Sequence, residues 1–243
     1  MDQLSNSFSL LELDATDDKE QTTIVAAEEV VNGKEKPKGS DASADETSGQ
    51  LSSGVASSEY KMPLVWIDLE MTGLNVESDR ILEIACVITD GSLTKLIEGP
   101  DLVIHQSEEC LESMNEWCQE HHPASGLTEK VLNSTITEQE AEARVVEFVR
   151  KHVGTYTPLL AGNSVYMDLL FLKKYMPELA SLFSHVLVDV SSVKALCVRW
   201  YPKDNKKAPQ KENKHRAMDD IKESIAQLRY YKENIFKPLK SMK

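Results

Sequence analysis

The stretch VWIDLEMTG, Val65–Gly73, decides how this chain folds. Val65, Ile67 and Leu69 alternate with Asp68 and Glu70, the period of two that marks a β-strand, in which successive side chains leave opposite faces. Asp68 and Glu70 therefore share a face. Like charges placed together in a run otherwise built for burial are costly unless a cation or a shared proton offsets them. The segment predicts a strand and a site at once.

Outward from it, ILEIACVITDG (81–91) reads as a second strand closed by Asp-Gly, and LVIH (102–105) as the third of a meander. Helical spacing then takes over, clearest in EAEARVVEFVRKHV, where Ala141, Val145, Val146, Val149 and Val153 recur on one side. TPLLAGNS (157–164) is a short strand whose Gly-Asn-Ser is expected to cap the helix VYMDLLFLKKYM (165–176). HVLVDVSS (185–192) repeats strand and cap before VKALCVRWY (193–201), and a last helix is predicted from about Arg216 to Asn234. Antiparallel strands followed by strand–helix alternation imply an α/β domain, one mixed sheet flanked by helices.

Bulk properties bound the function. A chain of 243 residues with 41% hydrophobic content can bury a substantial core. No run approaches the ~20 apolar residues of a membrane span, and the opening residues lack a secretory pattern, so an intracellular protein with no membrane partner is expected. Cys86, Cys110, Cys118 and Cys197 are too scattered for a disulfide framework or a zinc ribbon. The net charge of −13 is uneven, because residues 1–60 hold 13 acids and 4 bases. That segment has no aromatic between Phe8 and Tyr60 and is rich in Ser, Asp, Glu and Thr. It is expected to be a disordered acidic tail, followed by one domain over 61–238 and a short C-terminal tail, 239–243. The tail has no Arg, unlike a mitochondrial transit peptide, which points to the cytoplasm.

Further acids extend the opening pair. Asp168 begins the helix after LLAGNS, at the carboxyl edge of a strand, with Leu172 and Tyr175 on its own side, so it faces inward. In HRAMDDIKESI, Asp220 flanks the face of Ala217, Ile221, Ile225 and Leu228, whereas Asp219 points away as a solvated neighbour. His215 reaches the same place only if it lies in a loop before that helix. Asp68, Glu70, Asp168 and Asp220 converging on one pocket require counter-charge, and hard oxygen ligands suit Mg²⁺ or Mn²⁺. Two such cations beside a histidine base form a device for phosphodiester hydrolysis. His121–His122 near Cys118 lacks a second ligand pair for zinc.

WIDLEMTGL, GNSVYMD and HRAMDD resemble the three motifs of the DEDDh 3′-to-5′ exonucleases, which have the ribonuclease-H-like fold. The segments ILEIACVITD, MNEWC, FLKKYMPEL, LVDVSSVKAL and RWYP narrow the resemblance to the oligoribonuclease family over about residues 63–236. The resemblance implies that Asp68, Glu70, Asp168 and Asp220 hold two divalent cations and that His215 is the general base. It also implies a homodimer that releases 5′-mononucleotides from short single-stranded RNA, and a mitochondrial location as the alternative to the cytoplasm. Leu74 would wedge against bases, Trp117 and His122 would line the groove, and Ser164, Ser191 and His185 would attend the far end of the substrate. One departure stands out: Val186 occupies the position of the family's phosphate-binding Arg, and His185 that of its Tyr. The alternatives are a broader exonuclease acting on longer RNA or DNA, and a nucleic-acid-binding module with reduced turnover.

Overall fold

In the computed structural model, which describes residues 60–210 and 216–236, the opening stretch forms β1 (Leu64–Met71). It is the middle strand of a five-stranded mixed sheet among the described residues. On one side lie β2 (Ile81–Thr89) and then β3 (Leu96–Val103), each antiparallel to its neighbour. On the other lie β4 (Leu159–Gly162) and β5 (Leu187–Asp189), both parallel. Between β3 and β4 the chain forms α1 (Glu108–Glu112), α2 (Glu116–Ala124), α3 (Leu127–Asn133) and α4 (Glu138–Val153). Between β4 and β5 come α5 (Tyr166–Tyr175) and α6 (Pro177–Ala180), and after β5 come α7 (Val190–Trp200), α8 (Pro202–Asn205) and α9 (Ala217–Asn234).

The alternation of β1 sorts the core into two layers. Val65, Ile67 and Leu69 join Ile84, Cys86 and Ile88 of β2, with Val145 and Val149 of α4 and Phe171 and Leu172 of α5. Leu64 and Trp66 face the other way, with Ala85 and Val87, and are covered by Val190 and Cys197 of α7 and Ala217, Ile221 and Ile225 of α9. Asp68 and Glu70 continue this second face toward the end of the strand, so α9 is the helix that covers them.

Two sequence expectations need correction. The third strand starts at Leu96, well before LVIH, and runs through Gly99 and Pro100, which read locally as breakers. As an edge strand it tolerates proline. Glycine is required at 99 because a Cβ there would lie 2.3 Å from the Phe148 ring. In addition, Gly-Asn-Ser does not cap α5: the cap position is Val165 and makes no side-chain bond. Ser164 instead takes a left-handed φ of 53°, and its N–H donates to Asp189 at 2.9 Å. Asp189 is itself the cap of α7, accepting from the N–H of Ser191. The expected tails, 1–59 and 239–243, the domain end at 238 and His215 lie outside the described residues.

Candidate active site

The end of β1 is left partly unpaired, and that gap makes the site. β4 pairs with β1 only as far as Trp66, ending at Gly162, where a Cβ would lie 3.0 Å from the carbonyl of Ile67. Beyond this point the Leu69 N–H has lost a strand neighbour, and a buried donor must find an acceptor. Asp168, in the first turn of α5 and 6% exposed, supplies it: its Oδ1 accepts the Leu69 N–H at 2.9 Å. The donor sits between Asp68 and Glu70 in sequence, so Asp168 holds the backbone that carries both.

From the covering face, α9 brings Asp220. One carboxylate oxygen from each of Asp68, Glu70 and Asp220 lies within 4.8 Å of the others. Asp168 falls outside that group of three, with one oxygen committed to the strand. Asp219 also falls outside it, half-buried where an open surface position was expected.

This concentration of acid perturbs Glu70, whose carboxyl is pushed up to about 8 by burial first, then by the charges of Asp220, Glu83 and Asp168. The guanidinium of Arg216 acts in the opposite sense. Such a carboxyl is short of positive charge, and a set of carboxylate oxygens suits a hard divalent cation. The residues present fit that group.

Glu83 and Arg216 escaped the sequence reading. Glu83 was visible as the lone charge in the apolar strand ILEIACVIT, and it is fully buried opposite Glu70.

Around the acids, the residues expected to meet substrate divide. Leu74 is half-buried on a loop fastened by Asp79, which accepts from Thr72 Oγ1 at 2.9 Å and the Asn75 N–H at 2.7 Å. Trp117 of α2 stacks on His121 with ring centroids 4.0 Å apart. His122, expected in the groove, is 1% exposed. Its Nε2 donates to the Met71 carbonyl at 2.9 Å, and its Nδ1 lies 4.0 Å from Glu70 Oε2, so it sits beneath the acids. Ser164 and Ser191 gather at Asp189, where the Ser191 hydroxyl donates to Oδ1 at 2.7 Å and the Ser164 hydroxyl donates to Ser191 Oγ at 3.4 Å. His185 and Val186 are exposed beside β5.

Residues 65–228 match a family model described as an exonuclease. An oligoribonuclease of Arabidopsis thaliana is 59% identical over 98% of this chain and 99% of its own length. The mitochondrial oligoribonuclease of Homo sapiens is 53% identical over 72% of this chain and 73% of its own, and the oligoribonuclease of Pasteurella multocida 52% identical over 72% and 94%. Among solved structures, an apo exonuclease I superposes with a TM-score of 0.54 at 16% identity, covering 71% of this chain but only 42% of that one, a likeness of fold alone. The ribonuclease-H-like sheet, the acid cluster between its central strand and α9, and these relatives agree: the chain belongs to the oligoribonuclease family of exonucleases.

Proposed function

We propose that this protein is a metal-dependent 3′-to-5′ exoribonuclease acting on short single-stranded RNA. The observation that carries the reading is the group Asp68 and Glu70 of β1 with Asp220 of α9, three carboxylate oxygens within 4.8 Å of one another, beside a strand whose backbone is held by a fourth acid. Asp68, Glu70, Asp168 and Asp220 would hold two divalent cations, Mg²⁺ or Mn²⁺. Bound there, the cations would acidify a water and offset charge on the leaving oxygen. His215, the histidine of the third motif, would take the proton of that water. Leu74 and Trp117 would present apolar surface to the bases, and Ser164, Ser191 and His185 would meet the end opposite the one being cut. The product would be a 5′-mononucleotide.

The exposed apolar side chains support a homodimer. Tyr166 and Leu170 stand one turn apart on α5, and Leu196 and Trp200 one turn apart on α7, with Val186 exposed between these helices in sequence. Exposed apolar sets of this kind mark association surfaces. For location, the mammalian relatives named as mitochondrial favour the mitochondrial alternative, while the cytoplasmic reading rests on the composition of residues 1–60 alone.

The second reading, a broader exonuclease, is favoured by the surroundings of Asp189. The hydroxyls of Ser191 and Ser192 donate to its carboxylate, that of Ser164 donates to Ser191 Oγ, and Val186 contributes no charge. A terminal phosphate needs donors and cations, so selection for very short substrates would be weak. The test is a time course with Mg²⁺ on 3′-hydroxyl RNAs of two, three, five and twenty nucleotides, with a chelator control. Metal-dependent release of mononucleotides, fastest from the two- and three-mers, is expected. Equal or faster cutting of the twenty-mer selects the second reading, and no release in any arm overturns both.

A further inference from the structure

Glu83 is buried in a place that folding alone disfavours. It stands on β2 directly opposite Glu70, so the two side chains share a face, and like charges paired across a ladder destabilise it. It is fully buried, in a strand whose other members are apolar or threonine. A buried ion pair adds little net stability beside apolar residues of the same volume, so stability does not account for the choice.

Its partners show what it holds. Arg216 Nη2 lies 2.5 Å from Glu83 Oε1 and Nε 3.1 Å from Oε2, while the backbone N–H of Ala217 donates to Oε2 at 3.3 Å. Arg216 is the N-cap residue of α9 and Ala217 its first residue, so three donors from the start of the helix meet one carboxylate in the sheet. The Arg216 carbonyl in turn accepts the N–H of Asp220 at 3.0 Å. A continuous chain of bonds thus runs from the strand partner of Glu70 to the backbone of Asp220.

We infer that Glu83 and Arg216 are positioning residues for metal capture: their clasp fixes the first turn of α9 so that Asp220 already faces Asp68 and Glu70 before a cation arrives. The planar fork of arginine suits this, because two parallel bonds fix direction as well as distance. A lysine at 216 keeps the charge and loses the second bond. Without the clasp, Asp220 must be ordered by the cation itself, and binding weakens by that ordering cost. The inference rests on the reading that these carboxylates take divalent cations.

The test uses the full chain freed of metal by chelation, with Arg216→Lys, Arg216→Ala and Glu83→Gln, and Mn²⁺ alone as the probe in titration calorimetry. Arg216→Lys is expected to keep the native circular dichroism and to bind Mn²⁺ at least tenfold more weakly. Arg216→Ala should bind more weakly still, so that lysine recovers part of the loss. In turnover of a dinucleotide RNA at saturating Mn²⁺, KM should stay within twofold. The Mn²⁺ concentration giving half the maximal rate should rise in the same ratio as the measured Kd. Folded Arg216→Lys and Glu83→Gln proteins that bind Mn²⁺ within twofold of the unsubstituted chain overturn the inference, as does a rise in KM with the metal midpoint unmoved. If Arg216→Ala does not fold, the other two variants decide. A chain that captures Mn²⁺ as expected but cleaves no RNA retires the exoribonuclease reading and leaves the clasp standing.

Discussion

Removing protons from the acid cluster, by raising pH, should strengthen metal capture steeply, and Glu70 sets the scale. Its carboxyl is pushed up to about 8, against an ordinary value of 4.5. A cation bound to Glu70 must displace the proton below that point, so apparent affinity tracks the ionised fraction. That fraction is about one half at pH 8 and about one hundredth at pH 6, which weakens binding about fiftyfold between them. At pH 7 about 0.9 proton should leave per cation captured at Glu70. Titration calorimetry of Mn²⁺ at pH 6, 7 and 8, in buffers of differing ionisation enthalpy, reads both quantities. Affinities at pH 6 and pH 8 within twofold of each other, or proton release near zero at pH 7, would refute the reasoning.

The same shift makes metal-free stability fall with pH. Because the folded carboxyl sits above its unfolded value, the folded state binds more protons between about 4.5 and 8, and stability present below 4.5 is lost as pH rises through 8. At ~1.36 kcal/mol per unit the loss is at most about 5 kcal/mol. Urea unfolding in chelator at pH 5, 6.5 and 8 should show the decline, and Glu70→Gln should flatten it. An unchanged slope in Glu70→Gln would assign the decline elsewhere.

The other acids should separate by what else they hold. Asp68→Ala should abolish hydrolysis with the thermal midpoint preserved, since removing one carboxylate from the acid cluster relieves like-charge repulsion there. Asp168→Ala should abolish hydrolysis and also cost about 1–3 kcal/mol in chemical denaturation, because the Leu69 N–H is left buried without its acceptor; equal midpoints for the two variants would contradict this. Restoring charge with Val186→Arg, alone or with His185→Tyr, should make a 5′-phosphorylated dinucleotide a better substrate than its 5′-hydroxyl counterpart; without the change the phosphate should give little advantage in KM. Leu196→Glu with Trp200→Glu should shift the protein toward monomer in sedimentation, and an unchanged sedimentation coefficient would remove the α7 surface from the interface.

Sequence and structure diverge here according to how local each signal is. The period of two in Val65–Met71 and the helical spacing of Glu140–Val153 are fixed by neighbours along the chain; the strand forms over Leu64–Met71 and the helix over Glu138–Val153. β3 was misplaced because Gly99 and Pro100 are breakers by local chemistry, whereas their tolerance comes from an edge position and from Phe148, 49 residues away. Ser164 was expected to cap α5, but the competing acceptor, Asp189, belongs to another strand. His122 was placed in the groove because it lies in a motif, and only the approach of the Met71 carbonyl shows that it is buried under the acids.

The acid cluster was legible for a different reason. Asp68, Glu70 and Asp220 each break a hydrophobic period at an inward position, and that local anomaly marks them without any knowledge of contacts. Glu83 breaks such a period equally, in ILEIACVIT, but nothing nearby in sequence is its partner. The guanidinium that makes its burial tolerable is 133 residues away, on the helix that delivers Asp220. An inward acid in a strand therefore has two resolutions, a cation from solution or a cation from the chain. This site uses both on one face, with Glu70 left short of positive charge and Glu83 satisfied. Exchanging the roles fails: Glu83→Ala should weaken metal capture through the loosened helix, whereas Glu70→Ala should remove a ligand and leave the Arg216 clasp, and the first turn of α9, protected from hydrogen exchange. Loss of that protection in Glu70→Ala would mean that the cluster holds the helix, and that the order of cause argued for Glu83 runs the other way.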